Sequence, residues 1–137
     1  MARDRYHGAV RRALEKEGWF ITHDPFSFSV GEVDMEIDLG AEIILGAEKE
    51  GLQIAVEVKS FIDDSPVSAF HKASGQYDHY FLGLKQYDPG RVLYLAVPKQ
   101  IYDTFFQRPF VKFVITNKRI KLIVYEPLLE TIEQWIP

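Results

Sequence analysis

Glu57, Val58 and Lys59 put two ionisable side chains inside the apolar run Gln53-Ile54-Ala55-Val56-Glu57-Val58-Lys59-Ser60. The run is rich in β-branched residues and follows the turn-like Glu48-Lys49-Glu50-Gly51, which predicts a strand over residues 53–61. In a strand, residues i and i+2 project from one face. A carboxylate and an ammonium therefore stand side by side where a core favours Val or Ile. Burying both is costly unless they pair with each other or bind an ion. The bound-ion case is the chemically productive one: an acidic oxygen ligand beside an amine able to steady negative charge. The same tripeptide also suits an ordinary ion pair at a sheet edge.

The surrounding pattern supplies the scaffold. Residues 4–17 carry an apolar stripe of Tyr6, Val10, Ala13 and Leu14 and predict a first helix capped by Gly18. Residues 19–23 predict a strand, stopped by Asp24-Pro25. Residues 26–31 suit an aromatic loop or a short irregular strand. Residues 35–47 carry one or two strands, with Gly40 as a bend or bulge. Asp64-Ser65-Pro66 opens a long helix, Ser as N-cap and Pro in the first position. Val67, Phe70, Ser74, Tyr77, Phe81 and Leu84 form its expected buried face, and Asp88-Pro89-Gly90 ends it. Residues 91–97 predict a central strand covered on both faces. Residues 100–106 suit a short helix or turn. Residues 111–116 and 121–125 suit a closing strand pair around Asn117-Lys118, and residues 128–137 a short strand or cap held by Trp135. The expected fold class is α/β (α+β): a mixed central sheet flanked by helices, in one domain over residues 1–137.

Composition narrows the function classes. The chain has 137 residues, 47% hydrophobic and 26% charged, as in ordinary globular proteins. It has no cysteine, which excludes disulfides and thiolate metal sites and suits a cytoplasmic setting. The first residues lack a signal peptide's apolar stretch, and no run approaches the roughly 18 apolar residues of a membrane span. A net charge of -4 argues against sequence-independent nucleic-acid binding through a basic surface. Two local basic clusters stand apart from that balance: Arg3, Arg5, Arg11, Arg12 and Lys16, and Lys112, Lys118, Arg119 and Lys121.

The order helix, three strands, helix, strand, with Glu-x-Lys on the third strand, resembles the PD-(D/E)XK nuclease superfamily over roughly residues 4–97. The resemblance implies a restriction-endonuclease-like αβββαβ core. It also implies that an upstream acid and Glu57 hold Mg2+ or Mn2+ while Lys59 assists the attacking water. Asp38, nineteen positions before Glu57, matches the acid; Glu42 is the alternative, because a bend at Gly40 leaves the register open. Asp34, Glu36 and Asp38 also alternate as a solvated strand face would. The chemistry is sound in itself. Magnesium takes one or two carboxylates and keeps several waters. Gln76 and Tyr80, at i and i+4 of the long helix, share a face. Their spacing is similar to the Gln-x-x-x-Tyr motif of RecB-type nucleases, which implies a place beside the metal; without it they suit routine hydrogen bonding at a helix edge. Such families often carry Glu on the first helix about eleven residues before a Gly like Gly18. This chain departs from that pattern with His7, a residue able to bind metal or phosphate or simply to face solvent.

A narrower resemblance covers nearly the whole chain. Gly18-Trp19, Thr22-His23-Asp24-Pro25, Ile37-Asp38-Leu39-Gly40-Ala41-Glu42, residues 55–61, Gly75-Gln76-Tyr77, residues 93–98 and Trp135-Ile136 resemble the fdxN element excision controlling factor, or XisH-like, family of cyanobacteria. That resemblance implies control of programmed DNA excision during heterocyst differentiation, alongside a XisI-like companion and a separate site-specific recombinase complex. Two functions follow as expectations. One is a metal-dependent DNA endonuclease with Asp38, Glu57, Lys59, Gln76 and Tyr80 at its site and Glu42 and His7 as further metal candidates. The other is a catalytically silent nuclease-fold regulatory subunit that binds partners through aromatic surface near residues 26–28 and 105–110. A homodimer is expected by analogy with nucleases that cut both strands.

Overall fold

The computed structural model describes residues 4–45, 50–62 and 65–137. Arg3, Glu48, Lys49 and Asp64, used above for a basic cluster, a turn and a helix start, lie outside them.

The first helix forms because its apolar residues share one face. α1 (His7–Lys16) buries His7, Ala9, Val10, Ala13 and Leu14. The chain before it is a turn, in which Asp4 accepts the Tyr6 N–H at 2.9 Å. Gly18 closes the helix at φ 92°: its N–H donates to Glu15 O, and the Trp19 N–H donates to Leu14 O.

Eight strands follow among the described residues: β1 (Phe20–His23), β2 (Phe26–Val30), β3 (Val33–Ile37), β4 (Leu39–Leu45), β5 (Glu50–Val58), β6 (Arg91–Pro98), β7 (Leu122–Glu126) and β8 (Thr131–Ile136). Six make a mixed sheet in the order β1-β4-β5-β6-β7-β8; β2 and β3 form a separate ribbon. The pairs β5–β6 and β6–β7 are parallel and the others antiparallel. Set the ribbon aside and the first part of the chain runs helix, three antiparallel strands, helix, parallel strand.

The sheet is covered on both faces. On one, Val10 and Leu14 of α1 pack on Leu39, Ile54, Val56 and Ile123. On the other, α2 (Pro66–Tyr87) buries Phe70, Ala73, Ser74, Tyr77 and Leu84 against Ala55, Leu93 and Leu95. Ser65 caps α2, accepting the Ser68 N–H at 3.2 Å. Val67 and Phe81, expected in the buried face, are 47% and 50% exposed. The ribbon docks on α2 at Gly83, where a Cβ would stand 2.5 Å from Met35 Sδ.

Of residues 26–31, Phe26–Val30 form a regular strand, not a loop, because β3 pairs with it residue for residue. The bend expected at Gly40 falls instead at Asp38, the one residue between β3 and β4. Gly40 sits within β4 opposite Ala55, with an irregularity in β1 beside it. The closing strand pair is also corrected. Residues 109–118 are a helix, α4 (Pro109–Lys118), which follows α3 (Lys99–Asp103) and a short turn at Phe105–Gln107. Pro109 occupies the first helical turn, and Arg119 ends the helix at φ 54°. The tail does form a strand, β8. Trp135 lies 5.7 Å from the Trp19 ring and 5.1 Å from Tyr94, and its Nε1–H donates to Glu17 Oε1 at 2.9 Å.

Candidate functional site

The register of β4 and β5 brings two acids together. Leu39 pairs with Val56, so Asp38, one residue earlier, stands opposite Glu57. Each carboxylate reaches the other strand's backbone. The Asp38 N–H donates to Glu57 Oε1 at 3.2 Å, and the Val58 N–H donates to Asp38 Oδ2 at 2.8 Å. The Glu57 side chain is 10% exposed. Burial first, and the Asp38 charge second, push its pKa up to about 8. Burial raises Asp38 as well, against the Val58 hydrogen bond. The two carboxyls are close enough to share a proton.

Lys59 lies just beyond the end of β5, although its N–H still donates to Ala96 O of β6. Its Nζ is 3.5 Å from Glu57 Oε2 and partly exposed. That cation favours ionised Glu57 but does not overcome burial and the Asp38 charge. The segment after it is fixed. Tyr125 Oη–H donates to Lys59 O at 3.0 Å, and the Ser60 N–H donates to Asp4 Oδ2 at 2.9 Å. Phe61 turns the chain at φ 60° with its ring buried against Phe106. A bulky residue in the left-handed region is uncommon and marks a position held by its surroundings.

Tyr80 faces the pair from α2. Burial and the charges of Glu57, Asp38 and Glu36 raise its phenol, which therefore stays protonated and able to donate. Gln76 is exposed. With His79 and Tyr80 it lines a groove of about 1130 Å³ between α2 and the ribbon. Asp38 and Glu57 are not among the groove's lining residues; Tyr80 connects the two features. Glu42 stands apart, between Phe20 of β1 and Gln53 of β5, four residues along β4 from the pair.

His7 is buried at the start of α1, near enough for its charge to favour ionised Asp38. Its Nε2 lies 2.7 Å from Asp24 Oδ1, and Arg11 Nη1 donates to Asp24 Oδ2 at 2.6 Å. A carboxylate accepts, so Nε2 carries the hydrogen. Nδ1 is buried with no hydrogen-bond partner. Among the described residues, no three His, Cys, Asp or Glu side chains gather to hold a metal. The two carboxylates still suit a hard divalent cation that keeps most of its waters. Two buried like charges in contact need a proton or a cation between them.

Comparison with known proteins gives the chain's family. The XisH protein family matches residues 1–133. The chain belongs to the XisH family. An XisH family protein from Nostoc punctiforme has 46% sequence identity and a TM-score of 0.89, covering 98% of this chain and 100% of that one. A fdxN element excision controlling factor protein from Anabaena variabilis also has 46% identity, with a TM-score of 0.90 and the same coverage. No curated protein matches the chain. No helix among the described residues is long and apolar enough to cross a membrane.

Three residues around the site in this XisH-family chain escaped the sequence reading: Asp4, Asp24 and Tyr125. Asp4 carried a usable signal, an acid three residues before a helix. Asp24 looked like part of a strand-ending turn, and Tyr125 like a core residue of a strand. Nothing local announces the contacts with Ser60, His7 and Lys59, which lie 56, 17 and 66 residues away in sequence, respectively.

Proposed function

We propose that Asp38, Glu57 and Lys59 form a Mg2+- or Mn2+-dependent phosphodiester-cleaving site of the PD-(D/E)XK type that serves excision of a DNA element. The observation that carries this is the meeting of two acids from adjacent antiparallel segments, with an amine 3.5 Å from one of them. The order of α1, β1, β4, β5, α2 and β6 supports it, as does likeness to a protein named for control of fdxN element excision. A bound cation would lower the pKa of its water and neutralise charge gathering on the phosphate. Asp38 and Glu57 would hold it, once Glu57 has released its proton. Lys59 would orient the attacking water and stabilise the phosphate oxygen. Tyr80 would donate its phenol hydrogen, and Gln76, one turn earlier on α2, would support the site.

The test is cleavage of duplex DNA spanning an element border, with Mg2+ or Mn2+. Asp38→Ala, Glu57→Ala and Lys59→Ala are each expected to slow cutting roughly 100-fold or more. Calorimetry should show ion binding lost in the first two and kept in the third. Undiminished cutting by the variants overturns the assignment.

A second reading is favoured by the acid-lined groove and the net charge of -4. Here the chain is a catalytically silent subunit that joins a XisI-like companion and a recombinase complex, with a homodimer as one form. It predicts no cleavage with either ion and co-purification with the companion.

A further inference from the structure

The groove between α2 and the ribbon has a chemistry that nucleic acid does not satisfy. Its volume, about 1130 Å³, admits a segment of several residues. Phe28, Val33 and Met35 give it an apolar lining, and Val33 is 55% exposed. Asp34 and Glu36 also line it, from the face of β3 opposite Val33 and Met35. Asp34 is hydrogen-bonded to Ser29 within the ribbon. Neither acid is paired with a cation among the described residues. The helix wall answers with Gln76, His79 and Tyr80, and no Lys or Arg is among the lining residues. A phosphodiester strand would meet two uncompensated negative charges here, with none of the cations that bind phosphates.

We propose that this groove docks an extended segment of a partner protein that carries Lys or Arg at alternate positions with aliphatic residues between them. Asp34 and Glu36 are two residues apart on β3, so they repeat at roughly 7 Å. Side chains at i and i+2 of an extended segment repeat at the same distance and can meet both acids. Laid along β3, the aliphatic residues between them would point to the other side, toward Phe28, Val33 and Met35. Opposite charge then sets the register and the apolar lining supplies the contact. The proposal does not rest on the cleavage reading: its charges are Asp34 and Glu36, not Asp38, Glu57 or Lys59, although Gln76 and Tyr80 border both places.

The test titrates the intact, 15N-labelled protein with acetyl-Leu-Lys-Leu-Lys-Leu-amide and follows the amide resonances. Saturable shifts centred on residues 27–29, 33–36 and 76–80 are expected. Glu36→Lys, an exposed position opposite Ser27, should weaken binding about tenfold. Val33→Ser should weaken it by removing apolar contact while leaving every charge as it is, and a dispersed spectrum confirms that each variant folds. Glu57→Gln should leave the groove shifts in place, whatever it does to cleavage. Three outcomes would overturn the proposal: no saturable shift at these residues, equal binding of the same peptide with Glu for Lys, or preferential binding of oligodeoxythymidine in the groove.

Discussion

Replacing Glu57 with Gln should remove a charge that folding works against. The Glu57 carboxyl is buried and faces Asp38, and its pKa rises from 4.5 to about 8. A raised acid pKa means that the folded protein keeps a proton the unfolded chain has released. The stabilisation is therefore complete below about pH 4.5 and is lost as the pH climbs through about 8. That span is worth roughly 5 kcal/mol if Glu57 alone carries it. Because Asp38 can share the proton, the loss belongs to the pair. Gln keeps the shape and the acceptor for the Asp38 N–H but cannot ionise. The assay is urea unfolding of both proteins, with chelator present, from about pH 5 to about pH 9.5. Stability of the unmodified protein should fall relative to the variant by about 3–5 kcal/mol toward the alkaline end. Groups common to both proteins cancel in the difference. Parallel curves would refute the buried, mutually repelling pair. With Mg2+ added, the ionised pair should gain a partner, and the alkaline loss should shrink only where Glu57 is present.

Asp24→Ala leaves the buried His7 Nε2 and one Arg11 nitrogen without their acceptor, and should cost about 2–4 kcal/mol in chemical denaturation, with Asp24→Asn recovering part of it. Tyr125→Phe removes the hydroxyl that holds Lys59 O; about 1 kcal/mol should be lost, and hydrogen exchange at the Ser60 amide should quicken. Gly40→Ala puts a Cβ 2.8 Å from Phe26 Cδ2 and 3.1 Å from His23 Cβ. Phe26 is buried and has little room to yield, so a loss of about 1–3 kcal/mol should appear as a lower Tm.

The legible parts of the fold carried their own punctuation. Ser65 and Pro66 announced α2, Gly18 announced the end of α1, and the unbroken apolar run of β6 announced a strand covered twice. Residues 109–118 misled because Phe110, Val111, Phe113, Val114 and Ile115 have the composition of a strand. The helix follows from topology: β6 and β7 are parallel, and a parallel pair needs a crossover connection. Its end was hidden too, because Arg119 takes the left-handed position where Gly is the usual signal. At the site, Glu57 and Lys59 stood out as charges in an apolar run. The meeting of Asp38 with Glu57 depends on strand register, which alternation alone leaves open by any even shift. That is why Glu42 competed with Asp38. His7 was noticed by position, but its anchoring to Asp24 joins two elements that no local pattern connects.

Asp38 explains why the site and the groove occur together. It is the one residue between β3, which belongs to the ribbon, and β4, which belongs to the main sheet. The bend there aims its carboxylate at the Val58 N–H and its own N–H at Glu57. Upstream of the same bend, β3 brings Asp34 and Glu36 into the lining of the groove. A segment that enters the groove must press on this strand. Toward the main sheet the strand continues into the residue whose N–H holds Glu57 Oε1 at 3.2 Å, a long bond with little tolerance for stretching. In the peptide titration, the Asp38 amide should therefore shift although it does not line the groove. If it stays fixed while residues 33–36 respond, the ribbon moves without disturbing the pair, and occupation of the groove has no route to the carboxylates.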